Sequence, residues 1–342
     1  MAIRDRWANF VTPAGGADDG SSEANAWETP TSMEAGVVAG DRVNMQFASR
    51  YTLPSSQTFT FAGSITQPIY IKGYESTIGD GGKILLHFPN SFYNWTFNGD
   101  YVIADGLDIT DVSPNSNNPF HFSSNCGHID NVTVISSTTG VHSSARVRMD
   151  NCSFNNIYIE GVGSNASTEE MVISNRAVGF GLEINCVNGQ TGLDIATGYR
   201  TNALSNVLIY SQVATTLAGI NLTGGINSYG TLLNNFTVDG FDDGIAVDEL
   251  SATASFGAIL NNGIISNASN GLVNNGVNKS GLVISNIAFY NNTTNVSGFG
   301  DNEEINTIDL ASDPYTDSAN QDFSLNNVAD GGALLRGTAG IL

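Results

Sequence analysis

One short phrase recurs along this chain and limits what it can fold into: an apolar residue, a polar residue, Asn, then an apolar or small residue one and three places on. It reads Ile129-Asp130-Asn131-Val132-Thr133-Val134, then Met149-Asp150-Asn151-Cys152-Ser153-Phe154 and Leu204-Ser205-Asn206-Val207-Leu208-Ile209. Further copies are Leu233-Asn234-Asn235-Phe236-Thr237-Val238, Leu260-Asn261-Asn262-Gly263-Ile264-Ile265 and Ile284-Ser285-Asn286-Ile287-Ala288-Phe289, with Ile173-Ser174-Asn175-Arg176-Ala177-Val178 as a flawed one. Successive Asn positions lie 20, 24, 31, 29, 27 and 24 residues apart, the range in which a repeat is one coil of a solenoid and not a separate domain.

The inward face changes phase at each Asn, because the residues two before, one after and three after it are the apolar ones. A bend therefore sits there. Asn tolerates the left-handed backbone that such a bend needs, Gly tolerates it better, and β-branched residues avoid it. The earlier copy Val102-Ile103-Ala104-Asp105-Gly106-Leu107 carries Gly106 at that place. A Gly nine residues after Asn131, Asn235 and Asn262 opens a further apolar strand. Three short strands per coil, bent and stacked in register, predict an all-β right-handed parallel β-helix. The side chains of Asn131, Asn151, Asn175, Asn206, Asn235, Asn262 and Asn286 are expected to form a structural ladder along it. None of them is a catalytic candidate.

Residues 1–55 differ from the repeat and are expected to form an anchor and cap, with a short helix from Thr29, a capping residue before Pro30, to about Val38. The β-helix is expected over 56–298. Residues 299–342 form an irregular tail that caps the far end or reaches a neighbour, with strands at Ile308-Asp309-Leu310 and Phe323-Ser324-Leu325.

Lys and Arg number 12 against 33 acidic residues, a net charge of -21, and no Lys or Arg occurs between Arg200 and Lys279. Nucleic acid is not an expected partner, since affinity for it comes from neutralising phosphates, and neither is an anionic membrane. The polar start Met1-Ala2-Ile3-Arg4-Asp5-Arg6-Trp7 is no signal peptide, and no apolar run is long enough to span a bilayer. Cys126, Cys152 and Cys186 have no metal spacing; Cys152 takes an inward position and packs as a small hydrophobe. His87, His121, His128 and His142 are equally scattered. No cofactor and no metal is expected.

Several segments carry a resemblance. Phe10-Val11-Thr12-Pro13-Ala14-Gly15, Asp19-Gly20-Ser21-Ser22, Asn25-Ala26-Trp27 and Gly40-Asp41-Arg42-Val43 resemble the entry segment of pectate-lyase-like β-helix proteins of bacteria and phages. The closing Asp322-Phe323-Ser324-Leu325-Asn326 and Gly331-Gly332-Ala333-Leu334-Leu335-Arg336-Gly337 are similar to the ends of such chains. The resemblance implies the β-helix and leaves lyases, hydrolases, receptor-binding spikes and structural proteins all open.

The candidate sites are few. Asp105, Asp108 and Asp111 share one coil, and Asp239, Asp242, Asp243, Asp248 and Glu249 share another that has no Lys or Arg near it. A metal-assisted lyase needs a basic residue beside its carboxylates, so the second group does not suit one. Asp242-Asp243 looks like the paired acids of polygalacturonases, but that family's Asn-Thr-Asp, Gly-His-Gly and Arg-x-Lys elements are absent. The pair falls where coils turn, which favours solvent-facing turn residues. Tyr93 and Trp95 offer a sugar-stacking platform, with aromatic packing in an end coil as the alternative. Arg176 takes an inward position: either the strand bulges there and it points out, which is expected because it spares a buried charge, or it is buried with an acid such as Glu183. Counting outward positions from each Asn gives an apolar stripe, Leu208, Leu232, Ile259, Ile264 and Val283, that needs cover from a loop, the tail or another subunit.

The expectation from these features is a phage virion surface protein, for capsid decoration or as a spike. It would be a homotrimer on capsid or tail proteins, in contact with host glycans and assembled in the host cytoplasm. A polysaccharide-degrading lyase or glycosidase is the main alternative, and a bacterial adhesin the other.

Overall fold

A computed structural model describes residues 3–89, 94–111, 120–136, 147–161, 169–187, 190–197, 201–213, 217–224, 230–249, 258–275, 282–299, 303–305 and 307–336. The chain gathers into two units, Met1–Gly163 and Ser164–Leu342. Both are right-handed parallel β-helix. Among the described residues no helix is long and apolar enough to cross a membrane.

In the first unit, Arg4–Ala8 pairs in parallel with Asp41–Gln46, which pairs with Ile69–Tyr74. The ladder continues through Val102–Asp111, Phe120–Ser136 and Val147–Gly161. The cap helix Pro30–Gly36 follows the expected signals: the Thr29 hydroxyl accepts the Ser32 N–H at 3.1 Å, and Pro30 fills the first turn. Its Met33 is fully buried, and Trp27 fills the space between Gly20 and Gly36, where any Cβ would strike its indole.

Gly106, Asn131 and Asn156 superpose at one bend, as the registers Leu107 to Val132 and Val132 to Ile157 require, with φ of 75°, 56° and 53°. Asn151 lies at a different corner. It follows the column of Cys126, and both are left-handed, with φ of 53° and 56°. The spacing of 20 residues between Asn131 and Asn151 joins two corners of adjacent coils; the true step is 25, to Asn156.

In the second unit the strands Val178–Cys186, Asn202–Ser211, Thr231–Asp239, Ala258–Ser266 and Leu282–Tyr290 pair in register. Each bends at its left-handed residue: Gly181, Asn206, Asn235, Asn262 and Asn286, with φ of 69°, 56°, 53°, 54° and 55°. The Asn amides bond along the axis, Asn235 donating to Asn206 at 3.3 Å and Asn286 to Asn262 at 3.2 Å. Asn175 is not at this bend. With Arg176 it turns the corner after Glu169–Ser174, at φ of 58° and 45°; Arg176 is exposed, while Ala177 points into the core.

A second sheet joins Glu169–Ser174, Thr191–Thr197, Ala218–Gly224, Asp243–Glu249, Asn270–Asn274 and Thr294–Ser297. The Gly that opens these strands needs no positive φ. At Gly244 a Cβ would press into the Ile265 side chain of the bent strand and the Gly271 carbonyl beneath, so glycine permits the close approach of two sheets.

The tail folds back on the second unit. Ile308–Leu310 pairs with Ala288, Phe289 and Tyr290, and Tyr315–Asp317 forms an antiparallel pair with Asp322–Leu325. Leu310, Tyr315 and Leu335 cluster with Ile264 and Ala288, burying that part of the outward face.

Candidate functional site

The outward side of the second sheet carries the carboxylate that, among the described residues of the second unit, is shifted most. Leu193 and Ile195 point inward and are fully buried, so Asp194 between them faces out. Asn221 lies opposite Asp194 on the next rung, and Asp248 opposite Thr223 one rung further. Burial raises the Asp194 carboxyl first, the charges of Glu169 and Asp248 add to it, and its midpoint is pushed up to about 6. The Thr223 hydroxyl donates to Asp194 Oδ1 at 3.2 Å.

Asp243 opens its strand beside this face. Its carboxyl is also raised, by burial and by Asp242 and Asp248, while the Asn270 amide donates to Oδ1 at 2.9 Å and opposes the shift. Asp242 lines an open depression of about 390 Å³ with Asn267, Ser269, Asn291 and Thr293, at the corner where coils turn. The acids of this coil thus divide. Asp239 lies on the bent strands, held by the Ser266 hydroxyl at 2.7 Å and the Asn267 amide at 2.6 Å, and burial raises its carboxyl. Tyr315 of the tail closes over it, its hydroxyl 2.8 Å from Ser266 Oγ.

Several acids of the first unit are paired with bases instead. Lys72 approaches Asp105 at 3.0 Å, with the Asn131 amide at 2.9 Å, and Arg50 approaches Asp108 at 2.7 Å. His121 and Arg148 both reach Asp150, at 2.8 Å each. His128 pairs with the Ser153 hydroxyl at 2.8 Å. The side chain of Asp111, and all of Tyr93 and His142, lie outside the described residues. Among the described residues no cluster of His, Cys, Asp and Glu could hold a metal ion.

Trp95 is no sugar platform. It is 0% exposed, with ring centroids 4.8 Å from Phe59 and 6.2 Å from Phe97, in the core of the first unit. Its strand alternates in step with Gln57–Phe59 above it, which sends the indole inward. The stripe also splits: Ile264 is buried under the tail, Leu208 and Val283 are partly buried, and Leu232 and Ile259 remain exposed.

Asp194 was missed in the sequence because it belongs to no motif. The signal was Gly192-Leu193-Asp194-Ile195, an acid between two inward residues, and its importance depends on Glu169 and Asp248 from other coils.

No protein-family model matches the chain, and no curated protein does either. Solved structures do. A rhamnogalacturonan lyase is similar over 92% of this chain and 90% of its own, at 14% identity and a TM-score of 0.57. The fold is that of the pectate-lyase-like β-helix. The pectate lyase Pel9A matches 91% of this chain and 78% of its own at 15% identity, TM-score 0.48. An alginate lyase from Paenibacillus sp. matches 89% of this chain and 99% of its own at 14% identity, TM-score 0.44.

Proposed function

We propose that the chain cleaves a polysaccharide by acid–base hydrolysis on the outward face of the second sheet. The observation that carries this reading is Asp194, a partly buried carboxyl held above its ordinary range by burial and by Glu169 and Asp248, on the same outward face as Asp248. Glycoside hydrolysis needs two carboxyls: one donates a proton to the leaving oxygen and the other activates water. Asp194 takes the first role and Asp248 the second. They sit two rungs and two residues apart, a backbone separation of roughly 12 Å at about 4.8 Å per rung and about 3.3 Å per residue, so both side chains must lean toward a shared sugar to come within the span of an inverting pair. The negative field suits a neutral polymer and disfavours a polyuronate.

The likeness to polysaccharide lyases agrees with a carbohydrate-acting protein. Neutral plant, algal and bacterial polysaccharides should release reducing ends without unsaturated products. Asp194→Asn should lower the rate by about 10²–10⁴-fold. Full activity in that variant, or products with the absorbance of an unsaturated sugar, would sink the reading.

A second reading places the chain on a virion surface, as a trimer on capsid or tail proteins that degrades or contacts a host glycan. The entry and closing segments favour it. Sedimentation mass, and co-sedimentation with capsids, test it; a monomer with no affinity for virion components removes it.

A further inference from the structure

We infer that the bent strands of the second unit carry a second, non-catalytic glycan site, for an extended chain of neutral pyranoses lying along the helix axis. Three places before each bend the register aligns Val178, Ala203, Leu232, Ile259 and Val283. Val178 is 56% exposed, Leu232 38% and Ile259 47%. One place before each bend it aligns Phe180, Ser205, Asn234, Asn261 and Ser285, and Phe180 is 52% exposed. These ten positions form an apolar column beside a polar one, with no formal charge among them in a chain of net charge -21, and with Glu183 on the Phe180 strand and Glu303 on the rung after Val283 at its margins.

This pairing fits a pyranose, which has an apolar C–H face and hydroxyl edges. Phe180 offers a ring for stacking, and Leu232 and Ile259 continue the apolar surface. The amides and hydroxyls of the second column meet the sugar edges. That column is already held rigid by its own bonds: Asn261 donates to Asn234 at 2.9 Å and Ser285 to Asn261 at 2.8 Å, so little side-chain entropy remains to be lost on binding. The rungs repeat about every 4.8 Å, close to one sugar of an extended chain. Ten uncharged positions with only acids at their margins suit a neutral polymer and offer nothing to a phosphate or a polyuronate.

Area argues against a second protein copy. Five rungs and two columns give a strip of about 19 by 7 Å, far below the roughly 800 Å² per partner of a stable interface. The ligand class follows the proposed hydrolysis, but the site is separate from Asp194, so the two fail independently.

The test uses the full chain as its Asp194→Asn variant, with cellohexaose and mannohexaose as neutral probes, an alginate hexamer as the anionic one, and calorimetry as the readout. A neutral hexamer should bind, the alginate hexamer should not, and Phe180→Ser or Ile259→Asp should weaken binding at least tenfold. Circular dichroism should show both variants folded, as their side chains are half-exposed. Binding unchanged in both variants, no binding of either neutral hexamer, or preference for alginate overturns the inference. So does a dimer or trimer in sedimentation that Ile259→Asp converts to monomer, since the strip then serves a second copy.

Discussion

Replacing Asp194 by Asn tests the site through stability, with no substrate needed. In the unfolded chain the carboxyl titrates near the ordinary value of 3.8, and in the fold near 6. About two pH units separate the midpoints, at about 1.4 kcal/mol each. A carboxyl raised in the fold leaves stability intact below the unfolded midpoint and removes it as pH rises toward the folded one. The penalty is therefore about 1 kcal/mol at pH 4.5 and about 3 kcal/mol at pH 7.5. Asn keeps the shape, still accepts the Thr223 hydroxyl and carries no charge. Urea unfolding followed by far-ultraviolet circular dichroism should show Asp194→Asn gaining stability over the parent between pH 4.5 and pH 7.5, by about 2 kcal/mol. An advantage that stays constant with pH, or that shrinks, would show that Asp194 ionises normally and would remove it as the proton donor.

Asn262→Gly should cost little, since Gly keeps the left-handed bend at φ 54° and loses only the amide bonds, whereas Asn262→Val should cost about 2 kcal/mol or more in the same unfolding assay. Ile264→Asp, buried against Tyr315 and Leu335, should lower stability by about 3 kcal/mol and open the tail to limited proteolysis, while Ile259→Asp should leave both unchanged. Of the 3 cysteines, only exposed Cys126 should react with a thiol reagent in the native protein. Cys152 and Cys186 are buried, and burial pushes the Cys152 thiol far up; all should react in denaturant.

Much of the fold was legible because its determinants are local. Asn at a left-handed bend, Pro30 after Thr29 and an apolar phase shift each act within a few residues, so they can be read along the chain. The ladder was miscounted where locality failed. Gly181 performs the bend with no side chain, so Asn175, six residues earlier, looked like its copy. Asn151 occupies a second corner that Tyr101 and Cys126 also turn, at φ of 53° and 56°. Val178 and Phe180, exposed beside that Gly, went unnoticed for the same reason.

By itself, then, the sequence determined the coil, its bends, its inward face and the acidity of its surface, because each depends on residue type and spacing. The tertiary structure decided which residues of different coils meet. Asp194 owes its raised midpoint first to burial and then to Glu169 and Asp248, 25 residues before and 54 after it. Trp95 is core because Phe59 and Phe97 enclose it, and Ile264 is covered because the tail returns to it. Burial and electrostatic coupling are properties of neighbours in space, and a solenoid takes those neighbours from other coils.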